Sequence, residues 1–142
     1  MQKLAFLTFV LAVLVMPGCA TEEADRPQPA VQVALNEEFV LALGETAEVV
    51  GEDMHVTFAE VVSDSRCPEG AQCIEAGEIV CRLDIISGGT TDSVTVTEEG
   101  LFPRQTQEYL DYVIVYHVDP YPEMGKEILP EDYRLHLIIE NT

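Results

Sequence analysis

The residues best equipped for chemistry are four cysteines, Cys19, Cys67, Cys73 and Cys81, and three histidines, His55, His117 and His136. A structural zinc site needs about four nitrogen or sulfur ligands. Cys67, Cys73 and Cys81 with one histidine would reach that number, but their spacing matches no zinc finger, and no metal or other cofactor is assigned. A redox pair would be spaced Cys-x-x-Cys, which the chain lacks. A nucleophilic Cys81 would need an electropositive, accessible setting. With 7 Lys and Arg against 26 Asp and Glu, the chain has little positive charge to provide one. Gly-x-Ser-x-Gly, His-Glu-x-x-His and a phosphate-cradling Gly-rich loop are all missing from the sequence. Glu52, Asp53 and Asp132 are oxygen donors suited to calcium, but no Asp-x-Asp-x-Asp-Gly loop arranges them. An enzyme using paired carboxylates remains an alternative without a nameable pair.

Cys19 follows a segment with the marks of a secretory signal. Lys3 supplies the positive start, residues 4–16 are apolar apart from Thr8, and Gly18 closes the run. A spanning helix needs roughly 20 apolar residues, so this run is too short to be one. Leu14-Val15-Met16-Pro17-Gly18-Cys19 resembles the cleavage region of bacterial lipoprotein signal peptides. Met16 and Pro17 depart from the usual Leu-Ala/Ser-Gly-Cys pattern. The resemblance implies a signal peptide over 1–18, lipidation of the Cys19 sulfur, and an extracytoplasmic protein held in the cell envelope by its acyl chains. Two or more chains give stable anchoring, at ~0.8 kcal/mol per buried CH₂. Ala20 after the cysteine resembles lipoproteins forwarded to the outer membrane rather than kept at the inner one.

Residues 19–36 read as a lipidated flexible tether, with Glu22, Glu23 and Asp25 followed by Arg26-Pro27-Gln28-Pro29. About seventeen such residues reach roughly 20–25 Å. The formal net charge of the whole chain is −19, and all its acidic residues lie after the signal. Such a chain repels phosphate backbones, which excludes nucleic-acid binding. Its acidity suits a solvated, salt-tolerant surface, a bound hard cation, or a basic partner protein. The acidic residues are scattered, which favours the first.

From residue 37 the hydrophobic period is two. Phe39, Leu41 and Leu43 alternate with Val40 and Ala42; Met54, Val56 and Phe58 with His55 and Thr57; Ile79, Cys81, Leu83 and Ile85 with Val80, Arg82 and Asp84. Val94 and Val96, and later Tyr133, Leu135, Leu137 and Ile139, repeat the pattern. Ser87-Gly88-Gly89-Thr90 is a hairpin turn. Residues 109–118 are apolar on both faces and read as one long central strand. No amphipathic helix stands out. The pattern predicts an all-β domain over 37–142, an antiparallel β-sandwich, Ig-like or small barrel-like, with seven to eight strands.

The stretch Asp64-Ser65-Arg66-Cys67-Pro68-Glu69-Gly70-Ala71-Gln72-Cys73 is the most distinctive of the domain. With Cys19 lipidated, three cysteines remain. Pro68 and Gly70 let the short loop turn back and join Cys67 to Cys73 in a disulfide, which an extracytoplasmic address permits. Cys81 shares an apolar face and reads as a buried free thiol. The run Asp-Ser-Arg-Cys-Pro, four residues, Cys73, three residues and Gly77, with a later Pro120-Tyr121-Pro122, resembles a motif of small uncharacterised bacterial envelope lipoproteins. The resemblance spans about residues 39–140. It implies a fold and a location, and no activity. Glu75 stands where that pattern often has Trp, and the chain has no Trp.

The connection from Asp119 to Asp132 is long and proline-stiffened, and loops of that length are often functional. It is read first as a cover, with Ile128 and Leu129 folded back over the open end of the sandwich. The alternative is a contact surface presenting Tyr121 and Met124 to a partner. The functional expectation is a lipid-anchored binding or structural module. Its partners are the membrane, through the anchor, and an envelope protein or basic protein. A cation-dependent module and a small carboxylate-based hydrolase are the alternatives.

Overall fold

The computed structural model describes residues 30–100 and 104–142; the expected signal peptide and Cys19 lie outside them. Among the described residues the chain forms nine strands and one 3-10 turn. The strands are β1 (Val31–Val33), β2 (Phe39–Ala42), β3 (Thr46–Val49), β4 (Met54–Asp64), β5 (Glu78–Ser87), β6 (Thr90–Glu99), β7 (Gln105–Tyr109), β8 (Tyr112–Asp119) and β9 (Arg134–Asn141). They make a five-stranded sheet in the order β1-β3-β4-β5-β6 and a four-stranded sheet in the order β2-β9-β8-β7. Every pairing is antiparallel except β1 with β3. The expected β-sandwich is the architecture.

The period-two pattern sets which side chains meet between the sheets, because alternate residues of a strand point to opposite faces. Ala47, Val49, Met54, Val56, Phe58, Ile79, Cys81, Leu83, Ile85 and Val96 are buried from the larger sheet. Phe39, Leu41, Tyr109, Ile114, Tyr116, Val118, Leu135, Leu137 and Ile139 are buried from the smaller. Gly88 and Gly89 both take positive φ in the β5–β6 turn, the conformation that a two-residue hairpin turn requires.

Two departures from the sequence reading add strands. The tether expected over 19–36 includes β1, which runs parallel to β3 and buries Val33. Only one of its three side chains is buried, which is too weak a pattern to read by eye. The single strand expected over 109–118 is the end of β7, a turn at Leu110-Asp111 and then β8. Leu110 adopts φ 50°, and its apolar side chain hid a turn that Gly or Asn would have announced.

Candidate functional site

The Cys-containing loop and the Pro-Tyr-Pro loop form one platform at an end of the sandwich. β4 and β5 continue their ladder into the first loop: Ser65 N–H donates to Glu78 O (2.8 Å) and Cys67 N–H to Ala76 O (2.7 Å). Cys67 and Cys73 are joined in a disulfide with Cα atoms 6.0 Å apart, within the usual range. The second loop docks on the first through a parallel bridge between Glu69 and Glu123. Glu69 N–H donates to Pro122 O (2.8 Å), and Met124 N–H donates to Glu69 O (3.1 Å). Cys67, Pro68, Glu69, Gly70, Ala71, Gly100 and Tyr121 line an open depression on this platform.

Gly77, the last residue of the motif, is fixed by close approach. It has φ 68°, and a Cβ there would collide with the backbone carbonyl of Ser65. Gly100 N–H in turn donates to Gly77 O (2.9 Å).

Arg66 holds the platform to the second sheet. Its side chain is fully buried. Nε and one terminal nitrogen form a fork onto Asp64 (2.9 and 2.7 Å), and the guanidinium also donates to Val118 O (3.0 Å) and Pro120 O (2.9 Å). Such bidentate pairing is the strong geometry for an arginine. The Tyr121 ring lies 5.2 Å from the guanidinium carbon, a cation–π distance. Burial pulls the Arg66 pKa down, but the Asp64 hydrogen bonds and charge outweigh it and leave the pKa raised. Tyr133 OH donates to Asp64 as well (3.2 Å).

Glu98 sits beside this arginine, 4.0 Å from it at the closest ion-pair atoms and almost completely buried. It accepts from Val118 N–H (2.8 Å) and contacts His117 Nδ1 (3.2 Å). Burial pushes its carboxyl pKa up. A polar chain then runs across the outer face of the smaller sheet. His117 Nε2 meets Asp119 (3.1 Å), His136 Nε2 meets the other oxygen of Asp119 (3.2 Å), and His136 Nδ1 meets Glu38 (3.2 Å). Arg104 pairs with Glu38 at 2.8 Å. The histidines are adjacent because β8 and β9 place His117 directly opposite His136.

The expected site residues fall as follows. Cys67 and Cys73 are bonded to each other, and Cys81 is a buried free thiol. Burial pushes the Cys81 pKa up to about 12, so it is neither exposed nor thiolate-forming as a nucleophile must be. Tyr121 is half-buried on Arg66, and Met124 is 66% exposed. Ile128 and Leu129 do not join the core, and Leu129 is 45% exposed. The 119–132 connection therefore does not close the sandwich as expected; its first half is instead tied to the disulfide loop. Glu52 bonds Tyr112 OH (2.8 Å) and Asp132 caps its own 3-10 turn, so the three oxygen donors considered for calcium are already engaged or apart. Among the described residues no three or more His, Cys, Asp or Glu side chains form a ready-made metal site.

Arg66, Glu98 and the histidine pair escaped the sequence reading. Glu98 had a signal: Val94, Val96 and Glu98 share the inward face of β6, so a carboxylate occupies a core position. The histidine pair required the β8–β9 register. No family model, no curated protein and no solved structure matches the chain.

Proposed function

We propose that this chain is a lipid-anchored, extracytoplasmic β-sandwich of the bacterial cell envelope, resembling small uncharacterised envelope lipoproteins, that binds a partner protein through its two-loop platform. The observation that carries the reading is the Glu69–Glu123 bridge. It joins a disulfide loop to a proline-stiffened loop, and Ile74, next to the disulfide, and Met124 are both exposed. Rigid loops bind with a smaller ordering cost than flexible ones. Glu75 and Glu123, next in sequence to these two apolar residues, and Glu69 are exposed, with Glu123 paired to Lys126; the carboxylates left over suit a basic partner. On this reading Cys19 carries the anchor, the residues after it act as a spacer, and Ala20 after the cysteine, which resembles lipoproteins forwarded to the outer membrane, is what supports delivery there.

The hydrolase reading finds less support. Glu98 is the buried carboxylate among the described residues, and Val118 and His117 occupy it.

Fractionation of cells producing wild type and Cys19→Ser tests the anchor. Wild type is expected with membranes and the variant in the soluble fraction; a membrane-bound variant contradicts the anchor. A double Ile74→Ser, Met124→Ser variant tests the platform, with the expected result a loss of partner recovery from solubilised envelopes. Undiminished recovery of the same partner contradicts it.

A further inference from the structure

The second half of β4 has a neighbouring strand on one side only. β3 pairs with β4 as far as Thr57, and the last bonds on that side run from Phe58 N–H to Glu45 O (3.1 Å) and from Gly44 N–H to Phe58 O (2.7 Å). There the other chain segment turns away: Gly44 takes φ 82°, and Glu45 N–H closes a turn onto Ala42 O (3.0 Å). β4 runs on to Asp64, paired with β5 alone. Among the described residues no backbone group bonds to residues 59–64 on the side that β3 has vacated. Glu60, Val62 and Ser63 on this stretch are exposed. An open edge of this kind is a template for a further strand. A groove of about 410 Å³ lies beside it, with apolar lining from Leu43, Ala59, Val61, Pro130 and Tyr133. Leu43, Val61 and Tyr133 pack against the core, so this lining is held in place.

We propose that the open edge of β4 binds a partner protein by strand addition, taking an extended segment in which apolar residues alternate with Lys or Arg. This rests on the reading of the domain as a partner-binding module, and it gives the partner's segment a chemical class. In strand addition, main-chain hydrogen bonds give affinity and pockets for alternate side chains give specificity. Residues 59–63 offer room for about five residues at ~3.3 Å each. Every second side chain of the added segment faces inward, into the apolar groove; the others face outward beside Glu60. Glu60 stands opposite Arg82 on β5, but Arg82 is shared with Asp84, so this outer face keeps surplus negative charge. Opposite charges on adjacent strands attract, which favours a basic residue there. The groove lining itself holds Glu60 and Asp64 and no Lys or Arg. A second copy of a chain with net charge −19 would be repelled from the same edge. The register of β4 on β5 slips between Phe58 and Glu60 and between Val61 and Ser63, and such bulges are over-represented at sheet edges and next to active sites. The edge also leads into the platform, because Ser65 continues the β4–β5 ladder into the disulfide loop and Tyr133 OH bonds Asp64 (3.2 Å).

Amide hydrogen exchange of the full chain with the end-capped peptide Lys-Val-Lys-Leu-Lys-Val-Lys tests this. Binding is expected to saturate and to slow exchange across residues 59–63. The same peptide with its backbone nitrogens methylated cannot complete the ladder and is expected not to bind. Glu60→Lys, which gives up only an exposed ion pair, is expected to weaken binding about three- to tenfold with unchanged circular dichroism. The Ile74→Ser, Met124→Ser variant is expected to bind the peptide as wild type does, so the edge and the loops fail separately. No peptide binding, with partner recovery still lost in that variant, overturns strand addition and leaves the platform standing. Unprotected amides at saturation overturn it, because the two bulges then blunt the edge and the peptide merely decorates an acidic surface. Protection already present without peptide also overturns it, because a second copy or another part of this chain then holds the edge.

Discussion

Tyr116 and Glu98 stitch the two sheets together by exchanging backbone partners. Tyr116 of β8 reaches into the facing sheet, where its hydroxyl donates to Thr97 O (2.7 Å) and accepts from Thr97 N–H (3.2 Å) on β6. Glu98 of β6 reaches the other way and accepts from Val118 N–H on β8 (2.8 Å). The described β7 pairs with β8 only as far as Tyr116. Beyond that point Glu98 and Arg66 take the Val118 N–H and C=O that a neighbouring strand would otherwise use. Unpaired edges invite wrong pairing, and buried backbone groups need partners. The Arg66–Glu98 pair answers both needs, and it also seats the platform.

Arg66→Ala is therefore expected to cost about 3–5 kcal/mol, the scale for removing one partner of a buried pair. Arg82→Ala, which loses exposed contacts to Glu60 and Asp84, is expected to change stability little. Urea unfolding of both variants checks the contrast, and equal effects would remove Arg66 from its supporting role.

Gly77→Ala and Gly44→Ala separate backbone strain from collision. Both glycines have positive φ, but a Cβ at Gly44 meets nothing within 4 Å, whereas one at Gly77 meets the Ser65 carbonyl. A non-glycine residue held in that region costs on the order of 1–3 kcal/mol. Gly44→Ala is expected to show that cost alone, and Gly77→Ala a clearly larger loss in thermal or urea melts.

Glu98 makes stability depend on pH. Its carboxyl binds a proton more tightly in the fold than at its ordinary value of 4.5. The stability this gives is full below about pH 4.5 and is lost as pH rises through the folded-state value. Glu98→Gln removes this proton linkage. The stability of wild type relative to Glu98→Gln is expected to fall as pH rises from 4 to 7, read from urea midpoints. A constant difference would contradict the tighter proton binding.

The four cysteines are expected to behave in three ways. Opening the Cys67–Cys73 bond by a double serine substitution is expected to cost roughly 2–2.5 kcal/mol for so short a loop. Cys81 is expected to resist a thiol reagent until the protein unfolds, because its pKa is about 12 and it is buried. Mass spectrometry of native protein is expected to show acylated Cys19, one disulfide and one free thiol.

The sandwich was legible because its strands alternate cleanly. Ile79, Cys81, Leu83 and Ile85 face inward as their period dictates, and the Gly88-Gly89 turn fixes the β5–β6 register. The disulfide was legible from a short loop in which Pro68 and Gly70 let the chain turn back between two cysteines. What stayed hidden depends on which strands become neighbours. His117 and His136 are 19 residues apart in sequence and meet only through the β8–β9 register. Arg66 reaches Pro120 across 54 residues, a contact that no local pattern encodes. Leu110 concealed its turn because an apolar residue took the left-handed conformation.

The claim that the paired loops form the contact surface is tested most directly by photocrosslinking in intact cells. A photoreactive residue at position 124 is compared with one at position 50, where exposed Val50 lies in the turn before β4, at the opposite end of that strand from the disulfide loop. Position 124 is expected to give a discrete crosslinked product that disappears in the double cysteine-to-serine variant, while position 50 gives none. The same product from both positions, or no product from position 124, would contradict the account.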